Sequence, residues 1–420
     1  MERFETGVNV RSEIGELEGV IIHTPGSEVE NMTPENAERA LYSDILNLSV
    51  ALQEYSQFQF ALNQFARVYE VGDLLADVLE NEKVRLELID RVCTRCADGK
   101  VKRELQEMST RQLTQSMIEG VEMKKDNLSR FLSNQRFSIR PLHNFFFTRD
   151  ASVSVYDKVL ISKMANRVRD REAQIMEAIF DYHPLFKTST FNTRKEGPIC
   201  DKISIEGGDV LIARDDIILI GIGSRTTPEG VDVVIEKLKE KGRPQHFIIQ
   251  ELPSDRESFI HLDMVFTFLS ENECMVYEPV VMQPNRFKTI HVFHDGEKVH
   301  IKEVRNILDA LSSLGMDMKP IFCGGTADLW IQEREQWHSG ANFFAVAPGK
   351  VIGYRRNIYT MEELSKNGYE IVPAFELMNG TRSVNDYKKM VITIEGSELS
   401  RGGGGARCMT MPVRRKPVNW

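Results

Sequence analysis

Cysteine is scarce in this chain of 420 residues, which contains six of them. They are scattered at positions 93, 96, 200, 274, 323 and 408, without the dense pairing of a disulfide framework. So few cysteines in so long a chain are typical of a reducing compartment. We therefore expect free thiols and a cytoplasmic location.

Long apolar and long basic runs are lacking as well. No uninterrupted apolar run approaches the ~20 residues that span a bilayer, and the first residues, Met1 to Glu5, carry acids without an apolar segment. We therefore expect neither a signal peptide nor a membrane partner. The formal net charge is −9, so nucleic acid is not an expected partner either.

Proline is absent from residue 35 to residue 140, and this gap marks a change in pattern. Within it, apolar residues recur at helical spacing and charged residues fill the intervals. The pattern predicts an inserted all-helical domain over residues 73–138, with four or five helices. The residues before it predict a strand, a helix and a strand, and after Pro141 two strands, a helix and another strand recur several times. We expect an α/β fold of repeated ββαβ units, with residues 1–72 and 139–420 forming the main domain.

The most unusual stretch lies near the C-terminus. Four consecutive glycines, at positions 402–405, precede Cys408, and Arg401 and Arg407 lie on its N-terminal side. Glycine lets the backbone adopt positive φ and lets another molecule approach closely. Cationic neighbours stabilise a thiolate, which is the nucleophilic form of cysteine. This pattern indicates a reactive cysteine on a loop, around which the rest of the chain builds a pocket.

Three further motifs place charged groups beside aromatic, glycine or apolar residues. They are Asn144-Phe145-Phe146-Phe147-Thr148-Arg149-Asp150, Ile205-Glu206-Gly207-Gly208-Asp209-Val210 and Ile260-His261-Leu262-Asp263-Met264-Val265-Phe266. In the third, His261 and Asp263 alternate as in a strand, which predicts that both face the same side. A histidine beside a carboxylate suits general acid–base catalysis. Each motif alone is equally compatible with a packed strand or turn that carries a surface ion pair.

Metal binding is only weakly indicated. Cys93 and Cys96 form a lone C-x-x-C, for which packed helical thiols are the favoured interpretation. His261-x-Asp263 is half of a metal site, but no matching third and fourth ligands follow at local spacing. We therefore expect no metal.

One cysteine, one histidine and several carboxylates together point to a cationic substrate. Cys408 and His261 are a nucleophile and a base, whereas acids near a thiolate oppose its formation. Such a site is consistent only with a cation between them. A guanidinium fits, because it is planar, charged, and pairs with carboxylates in bidentate fashion. These residues suggest attack by a cysteine on a guanidinium carbon.

In these motifs the chain resembles the bacterial arginine deiminase family. The resemblance rests on Phe147-Thr148-Arg149-Asp150, Glu206-Gly207-Gly208-Asp209, His261-Leu262-Asp263 and Arg401 to Pro412, with Ser12-Glu13-Ile14-Gly15, Glu333 to Trp337, Gly340-Ala341-Asn342 and Pro348 to Tyr354 in support. It covers nearly the whole chain, including the helical insertion. It implies a five-bladed αβ-propeller of ββαβ modules with a central active site. It also implies hydrolysis of L-arginine to L-citrulline and ammonia without a cofactor, in arginine catabolism.

The resemblance also implies a role for each matching position. Cys408 is the expected nucleophile, and His261 the group that protonates departing ammonia and then activates water. Asp150 and Asp263 are expected to grip the guanidinium, with Glu206 orienting substrate and histidine. Asn144, Arg169 and Arg225 are expected at the amino-acid end of the substrate, and Phe147 and Asp209 complete the predicted substrate-binding set.

Two alternatives remain open from the sequence. One is a related hydrolase or amidinotransferase that acts on another arginine derivative. The other is a non-catalytic arginine-binding protein, which has no need for Cys408 or His261. Some family members carry an arginine within the glycine run, where this chain has Gly403. A homo-oligomer is expected, with L-arginine as the small-molecule partner.

Overall fold

The computed structural model describes residues 7–33, 44–93, 99–192, 202–239, 243–254 and 256–420. The strands there are β1 Leu17–Ile22, β2 Arg67–Glu70, β3 Val121–Glu122, β4 Phe137–Ile139, β5 Ser152–Val155, β6 Lys158–Ile161, β7 Ser189–Asn192, β8 Val210–Arg214, β9 Ile217–Ile222, β10 Gln245–Glu251, β11 Phe266–Phe268, β12 Glu273–Val276, β13 Thr289–His294, β14 Val299–Val304, β15 Lys319–Phe322, β16 Phe344–Ala347, β17 Lys350–Tyr354, β18 Glu370–Pro373, β19 Met390–Ile394 and β20 Met411–Arg415. Cys96, the second cysteine of the C-x-x-C motif, lies outside the described residues.

The helices of the described residues are mostly short. They are α1 Ser27–Glu30, α2 Leu48–Asn63, α3 Val71–Leu79, α4 Glu82–Cys93, α5 Gly99–Glu107, α6 Thr110–Glu119, α7 Leu128–Leu132, α8 Thr148–Ala151, α9 Asp170–Tyr182, α10 Pro228–Lys239, α11 Glu278–Val281, α12 Ile307–Ser313, α13 Leu329–Trp337, α14 Ile358–Lys366 and α15 Ala374–Met378. Several begin at side-chain caps that satisfy exposed N–H groups, such as Asn47 before α2 and a Ser109–Gln112 capping box before α6. In the described residues, no helix combines the length and apolarity needed to cross a bilayer.

Five sheets repeat one pairing pattern. In each, an antiparallel strand pair is followed by a helix and a third strand that runs parallel to the second. The pattern appears as β5-β6-β7 around α9, β8-β9-β10 around α10, β11-β12-β15 around α12, β16-β17-β19 around α14, and β20-β1-β2 around α2. The middle strand of this pattern is buried on both faces. In β9, for example, the first five residues are all buried, and they are apolar or glycine, as expected for a strand covered on both sides. The fold is therefore mixed α/β.

The sheet β20-β1-β2 joins the two ends of the chain. Ile21 in β1 pairs with Met411 in β20, and Ile22 pairs with Glu70 in β2. This pairing places Cys408, which immediately precedes β20, on the same side of the molecule as the N-terminal strand. A residue that is late in sequence is therefore fixed by one of the earliest elements.

The turn before the first strand of each sheet carries a polar residue. Asp150 precedes β5, Asp209 precedes β8, Asp263 precedes β11, Asn342 precedes β16 and Cys408 precedes β20. All five side chains are buried. Equivalent positions in the repeated units therefore supply the polar residues of one site.

Helices α3 to α7 lie within the proline gap, but β3 pairs with β4 there as well, so the segment is mainly helical rather than all-helical as predicted. The apolar faces of α3 to α6 form one core cluster with helix α9, including Leu75, Leu88 and Met117 from the helical segment and Ile175 and Ile179 from α9. The helical segment thus packs directly onto the sheet β5-β6-β7 through the helix of that sheet.

The prediction of a strand through His261 and Asp263 is wrong. His261 has extended backbone angles, but Leu262–Met264 form a 3-10 turn, and β11 begins only at Phe266. The alternation of polar and apolar residues resembles a strand, whereas the tertiary contacts of this buried turn decide its conformation.

Candidate active site

Cys408 lies in the turn before β20 with its side chain buried. The carboxamide of Asn342 holds it from two sides. The Nδ2 group donates to Sγ at 3.2 Å, and Oδ1 accepts from the main-chain N–H of Arg407 at 2.9 Å. The sequence motif contained Asn342 but assigned it no role, because nothing local links it to a cysteine 66 residues away.

The glycine run is required by close contacts with the site. A Cβ at Gly404 would lie 2.5 Å from Phe147, and one at Gly405 would lie 2.6 Å from Oδ1 of Asn342. Neither distance is possible without displacement of the neighbour. At Gly403, in contrast, a Cβ meets open space, but φ is +84°, a left-handed conformation that favours glycine.

His261 is fully buried beside two carboxylates. Its Nε2 lies 2.9 Å from Oε2 of Glu206, and its Nδ1 lies 3.6 Å from Oδ1 of Asp150. A Cβ at Gly208 would lie 2.6 Å from the imidazole, so glycine is needed behind the ring. Burial by itself lowers the pKa of His261, but the Asp150 charge and the Glu206 hydrogen bond raise it to about 9. The ring is therefore an imidazolium at neutral pH.

The charges closest to the thiol are negative. The Sγ atom lies 3.8 Å from Oδ2 of Asp263. Burial first, and then the charges of Asp263 and Asp150, raise the pKa of Cys408 well above its ordinary value, and Arg407 offsets little of this. The resting residue is therefore a thiol. A cation placed between the sulfur and the carboxylates would reverse this balance.

The arginines on the N-terminal side of Cys408 have other partners. Arg401 is exposed and pairs with Asp44 and Glu398. Arg407 is buried and pairs with Glu13 and Asp263. Arg407 does favour the thiolate, as the sequence predicted, but burial and the charges of Asp263 and Asp150 outweigh it.

The two aspartates have similar surroundings. Oδ2 of Asp150 accepts from Nη1 of Arg169 at 2.6 Å, and Oδ2 of Asp263 accepts from Nη1 of Arg407 at 2.8 Å. Oδ1 of Asp150 is buried without a hydrogen-bond partner among the described residues. Oδ1 of Asp263 lies 3.9 Å from Sγ of Cys408. Each carboxylate thus has one oxygen held by arginine; both oxygens of Asp263 lie within 3.9 Å of Sγ, whereas Oδ1 of Asp150 faces the imidazole of His261.

A cavity of about 20 Å³ lies at the thiol. It is lined by Asn144, Phe147, Asp150, Arg169, Arg225, Ile260, His261, Gly402, Gly403, Gly404 and Cys408. This volume holds about one water molecule, so an amino acid enters only if part of the wall moves. Seven of the ten predicted site residues are in this wall.

The other three predicted residues lie behind the wall. Glu206 contacts His261, and Asp263 contacts Cys408. Asp209 accepts from the main-chain N–H of Leu262 at 2.8 Å, and burial raises its pKa to about 7. Asp209, predicted to bind substrate, is thus placed where it supports the turn that carries His261.

The amino-acid end of the predicted site contains two arginines. Nη1 of Arg225 lies 3.7 Å from Oε2 of Glu206 and is buried without a hydrogen-bond partner among the described residues. Arg169 is more constrained, because it also binds Glu172 through two nitrogens. A second cavity, of about 700 Å³, adjoins the first and shares Asn144 with it.

Asp150, Glu206 and His261 offer ligand atoms within 4.8 Å of one another, a geometry that could hold a metal ion. Their charges are already matched by Arg169, Arg225 and the imidazolium. The cluster therefore needs no metal to explain it.

Sequence reasoning missed three further buried residues of the site, namely Glu13, Glu172 and Asn342. Each is within hydrogen-bond distance of a predicted site residue or of an arginine that binds one. It also missed the pairing of Arg407 with Asp263. Glu172, three residues after Arg169 on a helix, had a local signal, because such positions share one face. The others are brought in from distant parts of the chain.

Solved structures define the class of fold. The chain is similar to an amidinotransferase of the saxitoxin biosynthetic pathway, SxtG from Microseira wollei, with a TM-score of 0.54 and 14% identity over 98% of each chain. It is also similar to the N-terminal domain of ArgZ, an arginine dihydrolase from the ornithine–ammonia cycle in cyanobacteria (TM-score 0.53, 13% identity, 94% of this chain and 98% of that chain). A dimethylarginine dimethylaminohydrolase from Pseudomonas aeruginosa gives a TM-score of 0.50 at 14% identity, over 94% and 99%. The chain therefore shares its mixed α/β fold with these three enzymes.

Sequence relatives define the family more narrowly. A family model described as arginine deiminase matches residues 38–415. An arginine deiminase of Borrelia garinii subsp. bavariensis is 33% identical over 442 residues, covering 100% of both chains. That of Bacillus cereus strain ATCC 10987 is 32% identical over 431 residues, covering 98% of this chain and 99% of its own. The chain belongs to the arginine deiminase family, as the sequence motifs predicted.

Proposed function

We propose that this chain hydrolyses L-arginine to L-citrulline and ammonia through a covalent cysteine intermediate. One observation carries the proposal: a buried thiol lies 3.8 Å from a buried carboxylate and shares its cavity with a second one. This arrangement opposes a resting thiolate and favours a cationic electrophile. Membership of the arginine deiminase family supports the same reaction.

In the first half-reaction, the guanidinium lies between the carboxylates of Asp150 and Asp263. Its charge lowers the pKa of the Cys408 thiol, which gives its proton to solvent. The thiolate attacks the guanidinium carbon and forms a C–S bond. The carbon–nitrogen bond to a terminal amino group then breaks as His261, an imidazolium, gives its proton to the departing ammonia. An S-alkylthiouronium remains on the cysteine.

The second half-reaction uses water. His261, now neutral, accepts a proton from water, and the oxygen bonds to the same carbon. The C–S bond breaks, the remaining proton of the attacking oxygen passes to the sulfur, and citrulline leaves with the Cys408 thiol restored. The hydrogen bond from His261 to Glu206 keeps the ring oriented through both steps and stabilises its charged form.

The roles of the surrounding residues follow their positions. Arg225, whose Nη1 is buried without a hydrogen-bond partner among the described residues, binds the substrate carboxylate, together with Arg169 and Asn144. Phe147 forms the apolar wall that supports the glycine run. Asp209 holds the turn that carries His261.

The direct test is turnover by the purified protein. Citrulline and ammonia should appear in equal amounts from L-arginine, and agmatine, which lacks the carboxylate, should be a far poorer substrate. Equal or better turnover of a methylated arginine, or transfer of the amidino group to an added amine, would support the related hydrolase or amidinotransferase instead. If the protein binds arginine but neither turns it over nor is labelled at Cys408 by a haloacetamidine, it is a non-catalytic binding protein.

The arrangement of the five sheets belongs to the same proposal. They form the five blades of an αβ-propeller around the site, and residues 73–138 form a helical domain inserted into the chain. The repeated strand pairing and the repeated polar turn support this arrangement. A crystal structure with pseudo-fivefold symmetry around Cys408 would establish it, and an open or irregular arrangement would refute it.

The cellular setting follows from weaker observations. Among the described residues, Cys274, Cys323 and Cys408 are buried and form no disulfide, which suits the cytoplasm. Trp330 and Ile358 are large exposed apolar side chains, which suit a homo-oligomer. Cell fractionation and light scattering of the purified protein test these two points.

A further inference from the structure

Two buried glutamates outside the predicted site each bind the arginine that holds a site aspartate. Glu13 accepts from Nε and Nη2 of Arg407, both at 3.0 Å. The remaining Nη1 of Arg407 donates to Oδ2 of Asp263 at 2.8 Å. The side chains of Glu13, Arg407 and Asp263 are almost fully shielded from solvent, so these contacts are not weakened by water.

The same arrangement recurs at the other aspartate. Glu172 accepts from Nε and Nη2 of Arg169 at 3.0 and 2.8 Å, and Nη1 of Arg169 donates to Oδ2 of Asp150 at 2.6 Å. Glu172 is also buried. A Glu–Arg–Asp chain therefore approaches the reacting groups from each of two sides.

We propose that Glu13 and Glu172 are positioning residues, which orient Asp263 and Asp150 through Arg407 and Arg169 and leave each Glu–Arg–Asp group with a net negative charge. This inference rests on the proposed function. An arginine paired only with its aspartate would neutralise the carboxylate that has to attract the guanidinium. A bidentate glutamate offsets the positive charge of the arginine. The three side chains together therefore stay negative, and the aspartate is held in a fixed orientation.

Further contacts of Glu13 show why its position is fixed. Its Oε1 also accepts from the main-chain N–H of Ile212 in β8. Burial opposes its ionisation, but Arg407 and Arg149 hold the pKa of Glu13 at about 2. Glu13 thus stays charged throughout the range in which an enzyme of this kind is assayed, and it links β8 to the loop of the nucleophile.

The test is a double-mutant cycle measured as kcat and KM for L-arginine. We expect Glu13→Gln, which keeps the size of the side chain, to lower kcat about 100-fold, the effect of displacing a catalytic group by about 1 Å. Because it acts through Asp263, the double variant Glu13→Gln/Asp263→Asn should match Asp263→Asn within about twofold. Glu172→Gln with Asp150→Asn forms the parallel cycle. Glu16→Gln is the matched control, since Glu16 is exposed and pairs with Lys416.

The outcomes separate the possibilities. If Glu13→Gln lowers the melting temperature but leaves kcat within about threefold, or if its effect multiplies with that of Asp263→Asn, the positioning role is refuted. If Glu13→Gln does not fold, Glu13→Asp and the Glu172 cycle are judged by the same criteria. A wild-type protein that forms no citrulline refutes the proposed function itself, whereas an active wild type with an unaffected Glu13→Gln variant refutes only this inference.

Discussion

Replacement of Asp263 by asparagine should have opposite effects on two reactions of the same cysteine. The carboxylate lies 3.8 Å from Sγ of Cys408 and raises the pKa of the thiol. Asparagine has nearly the same shape but no charge. Without the charge, the thiolate forms more readily in the free protein, but the guanidinium loses a partner. Alkylation by a neutral reagent should therefore accelerate while arginine turnover falls.

The size of the first effect follows from the distance. Two unit charges 3.8 Å apart interact by about 4 kcal/mol at an effective dielectric constant of about 20. A third of this energy is already about a tenfold change in an ionisation constant. We therefore expect Asp263→Asn to be alkylated by iodoacetamide at least about tenfold faster at pH 8. We expect its kcat/KM for arginine to fall about 100-fold or more.

The assay is mass spectrometry of Cys408 over time, with activity measured on the same samples. Cys408→Ala corrects for alkylation of the other cysteines, and circular dichroism verifies the fold. Alkylation that is unchanged or slower in Asp263→Asn would refute the electrostatic account of the resting thiol. Near-normal turnover would remove Asp263 from the site.

Three further predictions concern the nucleophile, the glycine run and pH. Cys408→Ala should form no detectable citrulline while keeping the melting temperature of the wild type, and ordinary turnover would refute the nucleophile assignment. Gly404→Ala should lower kcat/KM about tenfold or more because its Cβ would lie 2.5 Å from Phe147. Gly403→Ala places its Cβ in open space and should cost only about 1 kcal/mol of stability. Equal activities of the two variants would show that the contact with Phe147 is unimportant. Burial lowers the pKa of both His23 and His261, but carboxylate partners outweigh it. His23 is buried against Glu28 and Glu70, which raise its pKa from 6.5 to about 10. Asp150 and Glu206 raise that of His261 to about 9. Their contribution to stability is complete below pH 6.5 and is lost as the pH rises through about 9 to 10. Urea unfolding from pH 6 to 10 should show this loss, and His23→Gln should reduce its slope; an unchanged slope would contradict the assignment.

The local pattern of the chain was enough to predict a large part of the fold. The strand–strand–helix–strand repetition and the helical segment after Val71 were both predicted, because burial of one face produces a period of two or of 3.6 residues. The strand pair β3–β4 inside the helical segment was not predicted, and neither was the turn at His261. It has the alternation of a strand, yet contacts with Gly208 and Glu206 hold it as a buried turn.

The chemical nature of the site was also predictable from the sequence. Acids beside a candidate nucleophile indicate a cationic substrate, because like charges near a thiolate oppose its ionisation. Those residue types are visible without coordinates. Their motif order was sufficient to predict the family, which the comparisons confirm.

Only the tertiary structure decided which charges meet. Arg407 is next to Cys408 in the chain, but its partner Glu13 is 394 residues away. It therefore pairs with distant acids rather than with the thiolate, and Asp209 supports a turn rather than lining the cavity. Sequence spacing reports contacts within one strand, helix or turn. Contacts between the turns that precede separate sheets depend on how those sheets assemble, which no local period encodes.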